Sequence, residues 1–345
     1  MSNKFNFNFL SFLIADHSLR NRQKTFGLII TLMFSSSAIA ETGLDDVIIL
    51  QYQKQRQVRD RNLRRPLQNS RASGKNDGRI IDGSPVAEGK YPFLASLSEK
   101  ISNSYTYGPA ALSDETTYIP ACGGALIAKN LVLTAGHCVP KADKIRLGVH
   151  SQLAADEGTE TGVETFTVTK SVTHGDFDSW YLRYDFAVLV LDGNSTLEPI
   201  KWNTDPALKF NELTVIGWGV TEAGSRTGSD LPRETTVDYI QNQQCQGNYG
   251  RLVHEEMICA ASPKTDACQG DSGGPLVIPD KCSKDKSKHV LVGVVSWGYG
   301  CAQEGYPGVY ARISSVSSWL YETVCENASD GCPKWYGNSN ATVNC

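Results

Sequence analysis

The run Cys268-Gln269-Gly270-Asp271-Ser272-Gly273-Gly274-Pro275 puts a serine on a tight loop flanked by glycines. A hydroxyl is a poor nucleophile until a base takes its proton, and the base needs an orienting carboxylate. Both partners lie upstream. Thr134-Ala135-Gly136-His137-Cys138 offers a histidine, and Tyr184-Asp185-Phe186 offers an aspartate at the mouth of the apolar run Ala187–Leu191. Together the three residue types support acyl transfer: the serine attacks a carbonyl, the histidine carries the proton, and the aspartate holds the histidine tautomer. The order His, Asp, Ser is one of several in which this constellation is built. Singly, His137 reads as a hydrogen-bonded core histidine and Asp185 as a loop cap. Three motifs in one order favour the catalytic reading.

Such a site needs a rigid frame. From Ile80 onward the pattern is short β-rich runs separated by Gly, Pro and Asn: Ala125–Ile127, Leu131–Leu133, Phe186–Leu191, Leu213–Ile216 and Val290–Val295. Many short strands with turn signals between them predict an all-β barrel or sandwich. Near the end Val316, Trp319, Leu320 and Val324 recur at helical spacing behind Ser314 and Ser315, which predicts a short capped helix. No internal repeat stands out.

The charge is divided unevenly along the 345 residues. Residues 1–79 carry 13 Lys and Arg against 6 Asp and Glu, and the remainder carries 20 against 31. An acidic body argues against nucleic acid as a partner. The chain has 10 cysteines, all after residue 121, which suggests disulfides and an oxidising compartment. Phe26–Phe34 is a short apolar run preceded by Arg20, Arg22 and Lys24 and followed by the small residues of Ala38-Ile39-Ala40. This predicts a signal peptide over 1–40 and a secreted, extracellular product with no membrane contact after its removal. A signal anchor or a misplaced start codon is the alternative, because the region before the run is long. Asn194, Asn327 and Asn340 each begin an Asn-x-Ser/Thr sequon, so they are glycosylation candidates. Residues 41–79 are polar, basic and free of cysteine; they read as a pro-segment, or as a plain linker if no cut follows them.

The serine loop, the histidine and aspartate motifs and their order resemble the trypsin-like branch of the chymotrypsin family of serine proteases. The resemblance runs from about Ile80 to Cys325. It implies two packed six-stranded antiparallel β-barrels with a short C-terminal helix. The barrels would span about 80–200 and 201–313, the helix 314–325, and a Cys-containing tail 326–345. His137 and Asp185 would sit in the first barrel and Ser272 in the second. The backbone N–H groups of Gly270 and Ser272 would form the oxyanion hole. Asp266 matches the floor of the pocket that receives the substrate side chain before the cut bond, which selects Arg or Lys. Ala267 stands beside it where a serine is frequent, removing one acceptor for a lysine ammonium and favouring Arg. Trp297, Gly298 and Gly308 would line that substrate site, and Ser296 would stand next to Asp185. The partners implied are protein or peptide substrates and protein inhibitors.

Gly78-Arg79-Ile80-Ile81-Asp82-Gly83 resembles the family's activation site. Cleavage after Arg79 would free the Ile80 amine to pair with Asp271. Family bridges match Cys122 with Cys138, Cys245 with Cys259, and Cys268 with Cys301. A further family bridge falls on Leu213 and Ile278, where apolar packing would replace it. Cys282, Cys325, Cys332 and Cys345 allow three pairings. The glutamate that opens a trypsin calcium loop is Val149 here, after Leu147-Gly148, and Glu157, Glu160 and Glu164 read as solvated acids. Pro307 occupies a position that is aromatic in sodium-binding relatives. No metal or cofactor is therefore expected. Two rivals remain at this point: a silent homologue that binds or inhibits another protein, and an esterase. The first is disfavoured by the intact His137, Asp185, Ser272 and Gly270. The second is disfavoured because the strand-to-helix form of the Gly-x-Ser-x-Gly elbow is absent and the order His, Asp, Ser differs from that class.

Overall fold

A computed structural model describes residues 83–101, 117–207, 211–220, 228–262, 270–279, 289–299, 303 and 305–336. Fourteen strands occur among them, and twelve of these close into two barrels. The first barrel takes β2 (Leu94–Ile101), β3 (Thr117–Ala128), β4 (Leu131–Thr134), β5 (Lys144–Leu147), β6 (Glu164–Thr173) and β7 (Ala187–Leu191). Their order round the barrel is β2-β3-β4-β7-β6-β5, with β5 paired back onto β2 and every pairing antiparallel. The second takes β9 (Glu212–Gly217), β10 (Arg233–Ile240), β11 (Met257–Ala261), β12 (Pro275–Ile278), β13 (Val290–Trp297) and β14 (Gly308–Arg312). These run β9-β10-β11-β14-β13-β12, and the β12 to β9 pairing closes the ring. Two short strands attach to it: β1 (Ser84–Pro85) on β10, and β8 (Lys201–Trp202) on β13. This is the two-barrel architecture that the motif resemblance implied.

The residues explain the closure. β4 reads Leu-Val-Leu-Thr and is buried along its whole length, as a strand between two others inside a barrel wall must be. β10 alternates, burying Thr235 and Val237 and exposing Thr236 and Asp238, so one face meets the core and the other meets water. Register shifts break the pairing at Leu97/Ser98, Leu126/Ala128, Val168/Lys170 and Leu276/Val277. Such bulges bend and coil a sheet, and a six-stranded ring needs that curvature.

Leu97, Leu126, Leu131, Leu133, Ile145 and Leu147 fill the first barrel. The same cluster continues without a break through Ile216, Val277, Leu291 and Val294 of the second, so the barrels share apolar packing where they meet. Leu213, Val237, Ile258, Leu276, Val292 and Tyr310 fill the second barrel. Leu213 and Ile278 are both buried in that cluster, so apolar packing occupies the two positions where the motif resemblance implies a further bridge.

The C-terminal helix spans Ser317–Asn327 and buries Leu320, Thr323 and Val324. The capping differs from the expectation. A single turn of 3₁₀ helix, Ile313–Val316, precedes the helix, and Val316 is its N-cap without a side-chain bond. Ser315 instead turns its hydroxyl back to the Arg312 carbonyl at 2.6 Å. Buried Ile313 and Val316 hold this entry by packing, and the 3₁₀ turn leads the chain into the helix without a side-chain cap. Beyond the helix, Cys325 is bonded to Cys332. Trp335 then packs edge-on to buried Trp202 at 4.6 Å, and Tyr336 stacks on Tyr321 at 4.1 Å. Among the described residues no helix is long and apolar enough to cross a membrane.

Candidate active site

The buried strand β4 delivers the chain to Gly136–Lys141, a 3₁₀ turn that carries His137. Two attachments fix the turn. Cys138 is bonded to Cys122 of β3, and the Thr134 hydroxyl donates to the Gly123 carbonyl at 2.8 Å. His137 is only 7% exposed.

Asp185 lies two residues before β7 starts at Ala187 and is fully buried. Its carboxylate accepts three hydrogen bonds. The His137 backbone N–H donates to Oδ1 at 2.9 Å, the His137 ring meets Oδ2 through Nδ1 at 2.7 Å, and the Ser296 hydroxyl donates to Oδ2 at 2.6 Å. Burial alone would push this carboxyl up. The His137 ring beside it and the three donors outweigh burial and hold Asp185 below the usual carboxylate value. An ionised Asp185 that accepts at Nδ1 keeps the ring proton there and leaves Nε2 free to act as a base.

Ser272 sits in the turn before β12 and is 7% exposed. The turn is tied to both barrels. The Gly123 N–H donates to the Ser272 carbonyl at 2.8 Å, and the Gly273 N–H donates to the Val295 carbonyl of β13 at 2.8 Å. Gly273 has φ +79°, and a Cβ there would lie 2.2 Å from Thr134 Oγ1 and 2.5 Å from the Gly123 carbonyl. The serine turn thus presses directly on the segment that carries His137. The contribution of Gly123 and Thr134 escaped the motif reading; the signal was the Gly-Gly pair directly after Cys122.

Asp271 is 1% exposed, and its Oδ1 accepts the Gly219 N–H at 2.8 Å. A Cβ on Gly219 would come within 2.4 Å of Asp271 Oδ2, so the Gly217-Trp218-Gly219 segment can wrap this carboxylate only as glycine. Gly270, directly before it, has φ +96° and is exposed. Of the residues expected around substrate, Ser296 and Trp297 end β13 and Gly308 begins β14, with Gly298 just past β13. Trp297 packs edge-on against buried Tyr249 at 4.9 Å, and the Tyr249 hydroxyl donates to the Pro307 carbonyl at 2.8 Å. Asp266, Ala267, Arg79 and Ile80, together with Cys268, Cys301, Cys282, Cys345 and Asn340, lie outside the described residues.

Cys245 is bonded to Cys259, which ties the helix Asn242–Tyr249 to β11. The Cys325 to Cys332 bond is one of the three arrangements that the last four cysteines allowed. Val149 is buried. The Glu160 carboxylate accepts the backbone N–H groups of His150 at 2.6 Å and Ser151 at 3.1 Å, and Glu164 accepts the Ser195 hydroxyl at 2.5 Å. Glu160 therefore braces its own loop, and Glu164, at the start of β6, braces the segment after β7, rather than both pointing idly to solvent. Asn194 is exposed and its Oδ1 accepts the Ser329 hydroxyl at 2.7 Å, whereas Asn327 donates its amide to the Thr323 carbonyl at 2.8 Å.

The two closed barrels set a buried histidine–aspartate pair beside a glycine-flanked serine turn, an arrangement suited to acyl transfer. A profile of the Trypsin family matches residues 80–320. Trypsin 5G1 of Aedes aegypti is 36% identical over 262 residues, covering 72% of this chain and 86% of the relative. Trypsin-1 of Astacus astacus is 33% identical over 256 residues, covering 70% and 98%, and Trypsin delta of Drosophila melanogaster is 33% identical over 251 residues, covering 71% and 88%. The chain belongs to the trypsin family and is a trypsin-like serine endopeptidase.

Proposed function

We propose that the protein is a secreted zymogen whose mature form cuts peptide bonds after Arg or Lys, with Ser272, His137 and Asp185 as its triad. The observation that carries this reading is the buried hydrogen bond between His137 Nδ1 and Asp185, with Ser296 on the same carboxylate. His137 Nε2 takes the Ser272 proton as the hydroxyl attacks the substrate carbonyl, then gives it to the leaving amine. Asp185 stabilises the imidazolium in between. Water enters in place of the amine, and His137 repeats the transfer to release the acid. The backbone N–H groups of Gly270 and Ser272 hold the oxyanion; each such donor is worth about 2.7–4 kcal/mol of barrier.

Asp266 at the pocket floor supplies the charge that selects Arg or Lys, between Trp297-Gly298 and Gly308. Residues 1–40 direct secretion and 41–79 form the pro-segment. Cleavage after Arg79 releases the Ile80 amine, which pairs with Asp271 beside the nucleophile. The sequon asparagines Asn194, Asn327 and Asn340 are the glycan acceptors. The relatives named trypsin support the peptide-hydrolysing class of this reading.

The test is peptide-library cleavage by the chain beginning at Ile80. Cutting after Arg and Lys is expected, with Asp266→Ser losing that preference while Ser272 still reacts with an organophosphorus reagent. Cutting after aromatic residues would overturn the pocket assignment, and full activity of an uncut Arg79→Gln precursor would overturn the zymogen.

A further inference from the structure

The loop from His174 to Tyr184, between β6 and β7, ends at Asp185 and follows an unusual path. Leu182 and Tyr184 both have left-handed backbones, with φ +53° and +47°. Bulky L-residues rarely adopt this conformation, and when they do the surroundings must impose it. Leu182 is buried, so the strain is not relieved by an open position. Arg183 lies between the two.

Several contacts hold this turn within its own loop and against the C-terminal helix. The Asp178 N–H donates to the Arg183 carbonyl at 3.1 Å, and the Phe186 N–H donates to the Tyr184 carbonyl at 2.7 Å. The Tyr184 ring stacks on His174 at 4.9 Å, and His174 meets Trp319 of the C-terminal helix at 4.8 Å. The Arg183 guanidinium adds a contact of another kind. Its Nε donates to Glu256 Oε1 at 2.5 Å, and Glu256 precedes β11 in the second barrel. The Glu256 side chain is 6% exposed and the Arg183 side chain 39%. Glu256 is itself anchored, since its carbonyl accepts the Arg312 N–H of β14 at 2.9 Å. A carboxylate buried this deeply is costly without a cation, so the pair has a strong preference for staying closed.

We propose that Arg183 is a positioning residue: through Glu256 it pins the strained turn Leu182–Tyr184 to the second barrel and thereby sets where Asp185 meets His137. This rests on the reading of Asp185 and His137 as catalytic. The chain offers an internal control. Lys90 and Glu234 form a second ion pair at 2.6 Å, between the segment before β2 and strand β10, and the contacts of that pair include no triad residue.

The test uses the chain beginning at Ile80 and a chromogenic arginyl peptide. Arg183→Met keeps the side-chain stem and removes the charge. It should lower kcat by about tenfold or more, since small misplacements of catalytic groups cost up to about a hundredfold, while KM changes little. The downfield proton resonance of the His137 Nδ1–H should shift or broaden. Arg183→Lys should recover part of both. Should Arg183→Met fail to fold because it strands Glu256, the double variant Arg183→Met/Glu256→Leu removes both charges and carries the same expectation. Lys90→Met should leave kcat and the resonance unchanged. A wild-type kcat and resonance in a folded Arg183 variant would overturn the proposal, even with a lowered melting temperature. An equal loss of kcat in Lys90→Met would overturn it too, because any weakening between the barrels would then suffice. Wild-type turnover in Ser272→Ala would instead overturn the catalytic reading beneath it.

Discussion

Replacing Asp185 by Asn separates the role of its charge from the role of its shape. The carboxylate faces three donors: the His137 backbone N–H at Oδ1, and the His137 ring and Ser296 hydroxyl at Oδ2. An amide has one oxygen for them. With its nitrogen at the Oδ1 place, it would confront a backbone N–H that cannot reverse, leaving two buried donors face to face. With its nitrogen at the Oδ2 place, every group can still pair: the Ser296 hydroxyl rotates to accept, and the His137 ring moves its proton to Nε2 so that Nδ1 accepts. The second arrangement is the cheaper one, and it disarms the base, because Nε2 now carries the proton. A wrong tautomer in this constellation costs about 10⁴ in kcat, or about 5 kcal/mol of barrier. Turnover of an arginyl chromogenic peptide should fall by that factor with KM little changed. The chain should stay folded, and its stability deficit should depend on pH in a defined sense. Asp185 is held below its ordinary value, so its contribution is complete above about pH 4 and is lost as pH falls through the lower folded value. The melting-temperature gap between wild type and variant should therefore narrow in acid. A kcat within about tenfold of wild type would mean that Asp185 does not set the His137 tautomer.

Ser272→Ala should lower kcat by about a million-fold and His137→Ala by a similar factor, with the double variant little worse; losses that add would show that the two do not act as one unit. Gly273→Ala, made on a Ser272→Ala background to prevent self-digestion, should destabilise the fold by about 2–5 kcal/mol in urea unfolding, because its Cβ would meet Thr134 Oγ1 at 2.2 Å in a left-handed backbone; an unchanged midpoint would mean that the serine turn does not press on the His137 segment. Millimolar calcium should leave the melting temperature unchanged, since Val149 brings no side-chain oxygen and Glu160 is engaged with the His150 and Ser151 N–H groups; a rise of several degrees would refute this.

The barrels were legible because their strands are short, apolar and separated by turn residues. Leu131–Thr134 and Ala187–Leu191 could hardly be anything but wall strands. Residue types and order singled out His137 and Asp185 as candidates, and their side chains meet in the structure at 2.7 Å. What could not be read was the means of holding them. The Thr134 hydroxyl on the Gly123 carbonyl joins residues 11 apart, and Gly123 to Ser272 joins two barrels through backbone atoms alone. Gly123 takes part through backbone atoms alone, so beyond the Gly-Gly pair after Cys122 no side-chain motif records these bonds. The helix entry failed for the opposite reason: Ser314 and Ser315 carry the chemistry of a cap, but burial of Ile313 and Val316 decides the geometry. Arg183 and Glu256, 73 positions apart, look like ordinary surface charges until the fold brings them to 2.5 Å.

This division follows from what each part must do. A nucleophile, a base and an orienting acid are defined by functional groups, and few residues can supply them, so their identities survive in the sequence. The frame has to deliver those groups to within tenths of an ångström, and many residue types can do that. In the proposed triad the histidine and aspartate come from one barrel and the serine from the other, so no single barrel would contain the site. Catalysis must then depend on contacts that cross between barrels: the shared apolar cluster, the Gly123 to Ser272 backbone bond, Ser296 on Asp185, and the Arg183 pair. The apolar cluster is non-directional and tolerates small slips, whereas the three polar contacts do not. Stability should therefore track the cluster and turnover should track the polar contacts, so a substitution can harm one while sparing the other.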